Sequence, residues 1–256
     1  MIPWRDARVH VVIPHHRRRE HLGRCLASIE ASAIATGIRP TVWVVDSDAP
    51  LEFNGLKVHW ITVPPTEPYN KAKSLNAGID ACSTCADVVA FLDCDMLVGP
   101  HWLRAVKAAA NPRVHRVAFA VRNIDADEAP NWSDCAYDNH HHRFEAWDVP
   151  WASSSGGRRP RGKVCTAYGC SCWASRPAVF GDLRYDERYE GRSYEDLDFS
   201  TRIFNRVGRF EWVGLLFRRA HFNLYHIEHE LGTWGKNPDY VSRGHCLWMK
   251  LLKETQ

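Results

Sequence analysis

Asp93-Cys94-Asp95 follows directly on the apolar run Val88-Val89-Ala90-Phe91-Leu92. Two carboxylates one residue apart, presented at the end of a buried strand, can hold a hard divalent cation that also touches phosphate oxygens. Taken alone, the same pattern also occurs in solvated turns. Tyr194-Glu195-Asp196-Leu197-Asp198 opens a predicted helix. Acids in a first helical turn complement the dipole, and Asp196 is also a candidate general base toward a hydroxyl. Between positions 221 and 229, apolar and polar residues alternate around His221, His226 and His229. Such a run reads as a strand edge or loop, and its histidines are candidate metal ligands.

Those residues need elements to position them. Val9-His10-Val11-Val12-Ile13 is a β-branched run that ends at Pro14 and predicts a buried strand. Leu22, Leu26, Ile29 and Ala33 recur at helical spacing, with Gly37 to close the helix. Val42–Val45 predicts a second strand ending in Asp46, and Val58–Val63 a third. Ala72, Leu75 and Ile79 mark another helix, and Val88–Leu92 is a fourth strand. This alternation predicts an α/β fold: a mainly parallel central sheet with helices on both faces. Ligands of such sheets bind outside the carboxyl ends of the strands. Pro14, Asp46 and Asp93 are therefore expected to line one crevice.

Further along, residues 123–164 lack periodicity, which predicts either a functional loop, a lid or acceptor loop hinged at Gly156-Gly157, or a disordered one. A helix is expected from Glu195 to Val207, closed by Gly208, and then a strand near Phe210–Val213.

The net charge of +3 is too small and dispersed to imply a nucleic-acid partner. No apolar run is long enough to span a bilayer, and Arg5, Asp6 and Arg8 interrupt any signal-peptide pattern. A cytoplasmic location is expected, with the nine Cys mostly reduced. Cys82-Ser-Thr-Cys85 lacks a second pair and reads as buried or loop thiols rather than a zinc site. The eleven Trp serve either as core or as sugar-stacking surfaces.

Five ordered segments resemble the β-1,4-galactosyltransferases. They are Pro14-His15-His16-Arg17-Arg18-Arg19-Glu20-His21-Leu22, Tyr69-Asn70-Lys71-Ala72-Lys73-Ser74-Leu75-Asn76-Ala77-Gly78, Phe91-Leu92-Asp93-Cys94-Asp95-Met96, Tyr168-Gly169-Cys170-Ser171-Cys172-Trp173-Ala174-Ser175 with Phe180, and Glu195-Asp196 with His226. The third is also similar to bacterial chondroitin-polymerase-type transferases.

The resemblance implies a GT-A glycosyltransferase fold over residues 1–256 as a single domain. Residues 1–100 would be the nucleotide-sugar-binding half, and 101–256 the acceptor-binding and catalytic half. It implies inverting transfer from a UDP-sugar, of galactose or N-acetylgalactosamine type, to a hydroxyl on a glycan, peptide or small metabolite. Asp95 and His226 would bind Mn2+ (or Mg2+), with Asp93 at both the metal and the donor. Asp196 would be the catalytic base, and Glu195 beside it would orient a sugar. Pro14, His16, Arg18, Lys71 and Trp173 would lie near the nucleotide sugar, and Asp46 near the base or ribose. Two departures stand out. Gly191-Arg192-Ser193-Tyr194 replaces the family's Gly-Trp-Gly-Gly run, and Asn223 falls where the family has a Met metal ligand. A nucleotidyltransferase is the alternative enzyme, although Pro14–Glu20 lacks the glycines of a triphosphate loop. A non-catalytic sugar-binding module is the alternative outside enzymes.

Overall fold

The structure is a computed structural model and describes residues 6–46, 50–124, 164–166, 172–191, 194–207, 211–212 and 224–227. Strand β1 (Val9–His15) is buried along its whole length, as a β-branched run in the middle of a parallel sheet must be. It continues through Pro14, where the sequence predicted its end. Leu92 N–H donates to Val12 O, so by the two-residue period the nitrogen of Pro14 also faces β4 (Val88–Phe91). Pairing on that side stops at Val12, so the missing N–H of Pro14 breaks no ladder.

Helix α1 (Arg19–Thr36) closes at Gly37, whose φ of 69° lets its N–H reach Ala33 O. Next come β2 (Thr41–Asp46), β3 (Lys57–Thr62) and α2 (Lys71–Cys82). Asn70 caps α2, its Oδ1 accepting from Lys73 N–H at 2.9 Å. Gly78 lets α2 lie close on the sheet, because a Cβ there would fall 2.3 Å from Val12 Cγ1.

After β4 follow β5 (Met96–Val98), α3 (Trp102–Ala108), β6 (Val117–Ala118), β7 (Ala120–Ile124), β8 (Val164–Thr166), β9 (Trp173–Ser175), α4 (Pro177–Phe180), α5 (Glu195–Val207), β10 (Glu211–Trp212) and β11 (Leu224–Ile227). The main sheet has the order β10-β6-β9-β4-β1-β2-β3. β4, β1, β2 and β3 run parallel, and β9 enters antiparallel between β4 and β6. Helices cover both faces. Leu22, Leu26 and Ile29 of α1 pack with Trp102 and Val106 of α3 on one face. Leu75 and Ile79 of α2 pack with Phe180 of α4 and with Phe199 and Ile203 of α5 on the other.

The pattern of the sequence did not predict the second sheet, β5-β11-β7-β8. Its strands are too short to show a period. It pairs β11 antiparallel with β5, bringing His226 opposite Met96. No helix among the described residues is long and apolar enough to cross a membrane. Cys82 and Cys85 are free thiols, and burial pushes the Cys82 thiol up to about 12. The expected loop or lid lies outside the described residues from 125 to 163, as do His221, Asn223 and His229.

Candidate active site

The carboxyl ends of β1, β2 and β4 deliver His15, Asp46 and, just past β4, Asp93 and Asp95. His15 and Asp46 are register partners at adjacent strand ends. His15 Nδ1 lies 2.8 Å from Asp46 Oδ2, and His15 Nε2 accepts from Arg18 N–H at 3.1 Å. The accepting Nε2 puts the proton of a neutral ring on Nδ1, which donates to Asp46. Both side chains are buried. Asp46, expected at the base or ribose, is buried and through His15 helps to order the turn that carries Arg18.

That turn is tight. Arg17 has φ 56°, an uncommon conformation for a residue with a side chain, and its guanidinium pairs with Glu67 at 2.6 Å. Arg18, next in the chain, turns its guanidinium onto Asp95 Oδ2. His16 is buried and stacks on Tyr69, with ring centroids 4.7 Å apart and planes 6° apart. His16 and Tyr69 belong to the first two segments that carry the resemblance.

Lys71, the first residue of α2, ties the two halves of the chain together. Its Nζ lies 2.7 Å from Asp93 Oδ1 and 3.0 Å from Asp196 Oδ2. Burial opposes its charge, but Asp196, Asp93 and Glu195 outweigh that and hold its pKa well above the ordinary value. Burial raises the pKa of Asp93 in spite of Lys71. Glu195 and Asp196, in the first turn of α5, are both buried. Burial, and next the charge on Asp196, push the Glu195 carboxyl up to about 7. Glu195 Oε2 meets no hydrogen-bond partner among the described residues.

The second sheet supplies the last member. Ile227 N–H donates to Asp95 O at 3.0 Å, which fixes β11 beside the Asp93–Asp95 turn. His226 Nε2 then lies 3.6 Å from Asp95 Oδ2. Two ordinary bonds of about 2.1 Å to one cation can close that span. Carboxylate oxygen and imidazole nitrogen also suit Mn2+ chemically. Among the described residues no group of three His, Cys, Asp or Glu side chains forms a fuller cation site.

Arg18, Lys71, Asp93, Asp95, Glu195, Asp196 and His226 are thus brought together. Trp173 is not among them. It is 1% exposed and packs on Phe91, Phe180 and Phe199 in the core, with the Arg116 guanidinium 4.4 Å over its ring. Pro14 is likewise buried within β1. The site-building residues that the sequence analysis passed over are His15 and Asn76. His15 was legible in principle, as a polar residue ending a strand beside one that ends in Asp46. Asn76 stood inside the second resembling segment, where no role was assigned to it because it is one more polar residue in a helix.

Known structures repeat this architecture. Staphylococcus aureus TarS, residues 1–349 in complex with UDP-GlcNAc, aligns with a TM-score of 0.58 at 13% identity, over 90% of this chain and 61% of that one. A mannosyltransferase from Pyrobaculum calidifontis, PcManGT, in complex with GDP-Man and Mn2+, aligns with a TM-score of 0.53 at 17% identity, over 88% of this chain and 58% of that one. Drosophila β1,4-galactosyltransferase 7 reaches 0.49 at 13% identity, over 89% and 77% of the two chains. The chain spans 37% of a longer TarS chain. The likenesses to TarS and PcManGT concern the fold, which is GT-A. No curated protein matches the sequence. Residues 10–183 match the pattern of glycosyl transferase family 2. That match covers more than half of the chain, and it sets aside both the nucleotidyltransferase and the non-catalytic module. The chain belongs to glycosyl transferase family 2.

Proposed function

We propose that this glycosyltransferase is metal-dependent and inverting, moving a sugar from a UDP-sugar to an acceptor hydroxyl with Asp196 as base. The observation that carries the proposal is the contact of Lys71 with both Asp93 and Asp196, next to Asp95, Arg18 and His226. It joins a cation-binding end to a base-bearing end.

Asp95 and His226, with Asp93 near them, would hold Mn2+ or Mg2+, leaving further positions to diphosphate oxygens and water. The bound cation supplies charge stabilisation for the leaving diphosphate. Charge balance supports this. Three aspartates (Asp93, Asp95 and Asp196) face two fixed cations (Arg18 and Lys71). Arg18 and Lys71 contribute positive charge toward the phosphates. His16 and Tyr69 stack where the nucleotide loops meet. Asp196, paired with Lys71, accepts the acceptor's proton as its oxygen attacks the anomeric carbon. A single displacement inverts the configuration, so no second carboxylate has to act as nucleophile. Glu195 orients a sugar hydroxyl.

UDP is favoured because the TarS neighbour binds UDP-GlcNAc. Galactose or N-acetylgalactosamine as the sugar rests on the motif resemblance. The test is to screen UDP-galactose, UDP-N-acetylgalactosamine and UDP-glucose by mass spectrometry for sugar release, with and without Mn2+. Release from a UDP-sugar only with the metal supports the proposal. Equal release without metal, or none from any UDP-sugar, counts against it.

A further inference from the structure

Asp196 reaches Lys71 although 125 residues separate them in the chain. Both ends of that contact are governed by one helix. α2 begins with Lys71, and it also grips the segment that leads into α5. The buried Asn76 side chain pairs with the backbone of Tyr185 in both directions. Its Oδ1 accepts from Tyr185 N–H at 2.7 Å, and its Nδ2 donates to Tyr185 O at 2.9 Å. The same Nδ2 donates to Glu187 Oε1 at 2.9 Å. One turn before Lys73, Asn70 does two jobs. Its Oδ1 caps α2, and its Nδ2 donates to Glu187 O at 2.7 Å. Gly191, with φ 63°, donates its N–H to Tyr69 O at 3.1 Å, and Asp80 of α2 holds Arg184 at 2.7 Å.

The tie points therefore run from Arg184 to Gly191, and the last lies only a few residues before Glu195. A buried carboxamide satisfying both polar groups of one backbone residue is a specific joint, because either partner alone would be left buried and unpaired.

We propose that Asn70 and Asn76 are positioning residues for transfer: from α2 they dock residues 185–191 and so set Asp196 on Lys71 and against the reacting hydroxyl. The inference rests on Asp196 being the base. Neither asparagine has to touch donor or acceptor. Both act through the path of the chain, and displacements of about 1 Å at a reacting group can cost as much as 10²-fold in rate.

The test uses Asn70→Asp and Asn76→Ala in the full chain, beside Asp196→Asn. Asn70→Asp keeps a capping oxygen, removes the donor to Glu187 O and sets a carboxylate oxygen against that carbonyl. Three quantities are read on each protein: UDP affinity by tryptophan fluorescence, kcat and KM for hydrolysis of the UDP-sugar that the wild type turns over fastest, and amide hydrogen exchange at Tyr185. The expected result is a kcat lower by roughly 10- to 100-fold in Asn76→Ala, and by a smaller factor in Asn70→Asp. UDP affinity and KM should stay within about twofold, and Tyr185 N–H should exchange faster in Asn76→Ala. Wild-type kcat in both asparagine variants, with Asp196→Asn inactive, would overturn the clamp and leave the base intact. Wild-type kcat in Asp196→Asn would overturn the reading of Asp196 instead. A parallel loss of UDP affinity and kcat in Asn70→Asp would make the asparagines merely structural.

Discussion

Lys71 Nζ stands 3.0 Å from Asp196 Oδ2 and 2.7 Å from Asp93 Oδ1, a single ammonium shared by the carboxylates of two separate motifs. Removing it leaves two largely buried carboxylates without their counter-ion. Loss of one member of a buried ion pair costs about 3 kcal/mol or more. Lys71→Met is expected to lower stability by about that amount in urea unfolding. UDP affinity should fall as well, because a positive charge near the phosphates is lost. Unchanged stability would mean that solvent already screens the ammonium.

The metal end makes a separate prediction. Asp95→Ala is expected to abolish Mn2+-stimulated turnover and to weaken UDP binding, since a hard ligand and its charge are lost. His226→Ala acts in the same direction, less completely. Calorimetric titration of Mn2+ checks both. Wild-type Mn2+ affinity in His226→Ala would remove His226 from the ligand set and point to His221 or His229.

Glu195 makes stability depend on pH. Its folded pKa is raised to about 7 from an ordinary 4.5, first by burial and then by Asp196. Between those values the unfolded chain has already lost the proton that the folded protein keeps. Folded stability therefore falls as pH rises from about 4.5 to about 7, and levels off above. Glu195→Gln has no such proton to lose. The melting temperature of Glu195→Gln relative to wild type should be more favourable at pH 8 than at pH 5. A difference that does not vary with pH would show that Glu195 titrates normally.

Trp173 distinguishes core from donor contact. Trp173→Ala is expected to cost about 3–5 kcal/mol, the usual range for removing a large buried aromatic. Trp173→Phe should cost less and leave UDP affinity unchanged. A selective loss of UDP binding in Trp173→Phe, with normal melting, would return Trp173 to the donor site.

The main sheet was legible because its strands are unambiguous. Val9–Ile13, Val42–Val45 and Val88–Leu92 are short, β-branched and followed by chemically distinctive residues. Gly37 marked the end of α1 correctly, since only a left-handed residue closes that turn. Asp93, Asp95, Asp196, Lys71 and Arg18 were legible as ordered motifs, and they converge in the structure. His226 could be named but not located. What brings it to Asp95 is the pairing of the three-residue β5 with the four-residue β11, a long-range choice that no local pattern encodes. The burial of Trp173 was not legible, because an aromatic side chain suits a core and a sugar surface equally well. The partnership of Asp46 with His15 becomes visible only once β1 and β2 are in register.

The central claim is that Asp196 takes the proton. The most direct measurement is made on Asp196→Asn, with UDP affinity, melting temperature and turnover read on the same protein. Near-normal UDP and Mn2+ binding is expected, because the side chain is nearly isosteric and is not a metal ligand. Turnover should fall by about 10²-fold or more, the range for a lost general base. If Asp196 only complements the dipole of α5, the change costs about 0.3–1 kcal/mol of stability and little chemistry. A lowered melting temperature with near-normal turnover would contradict the account.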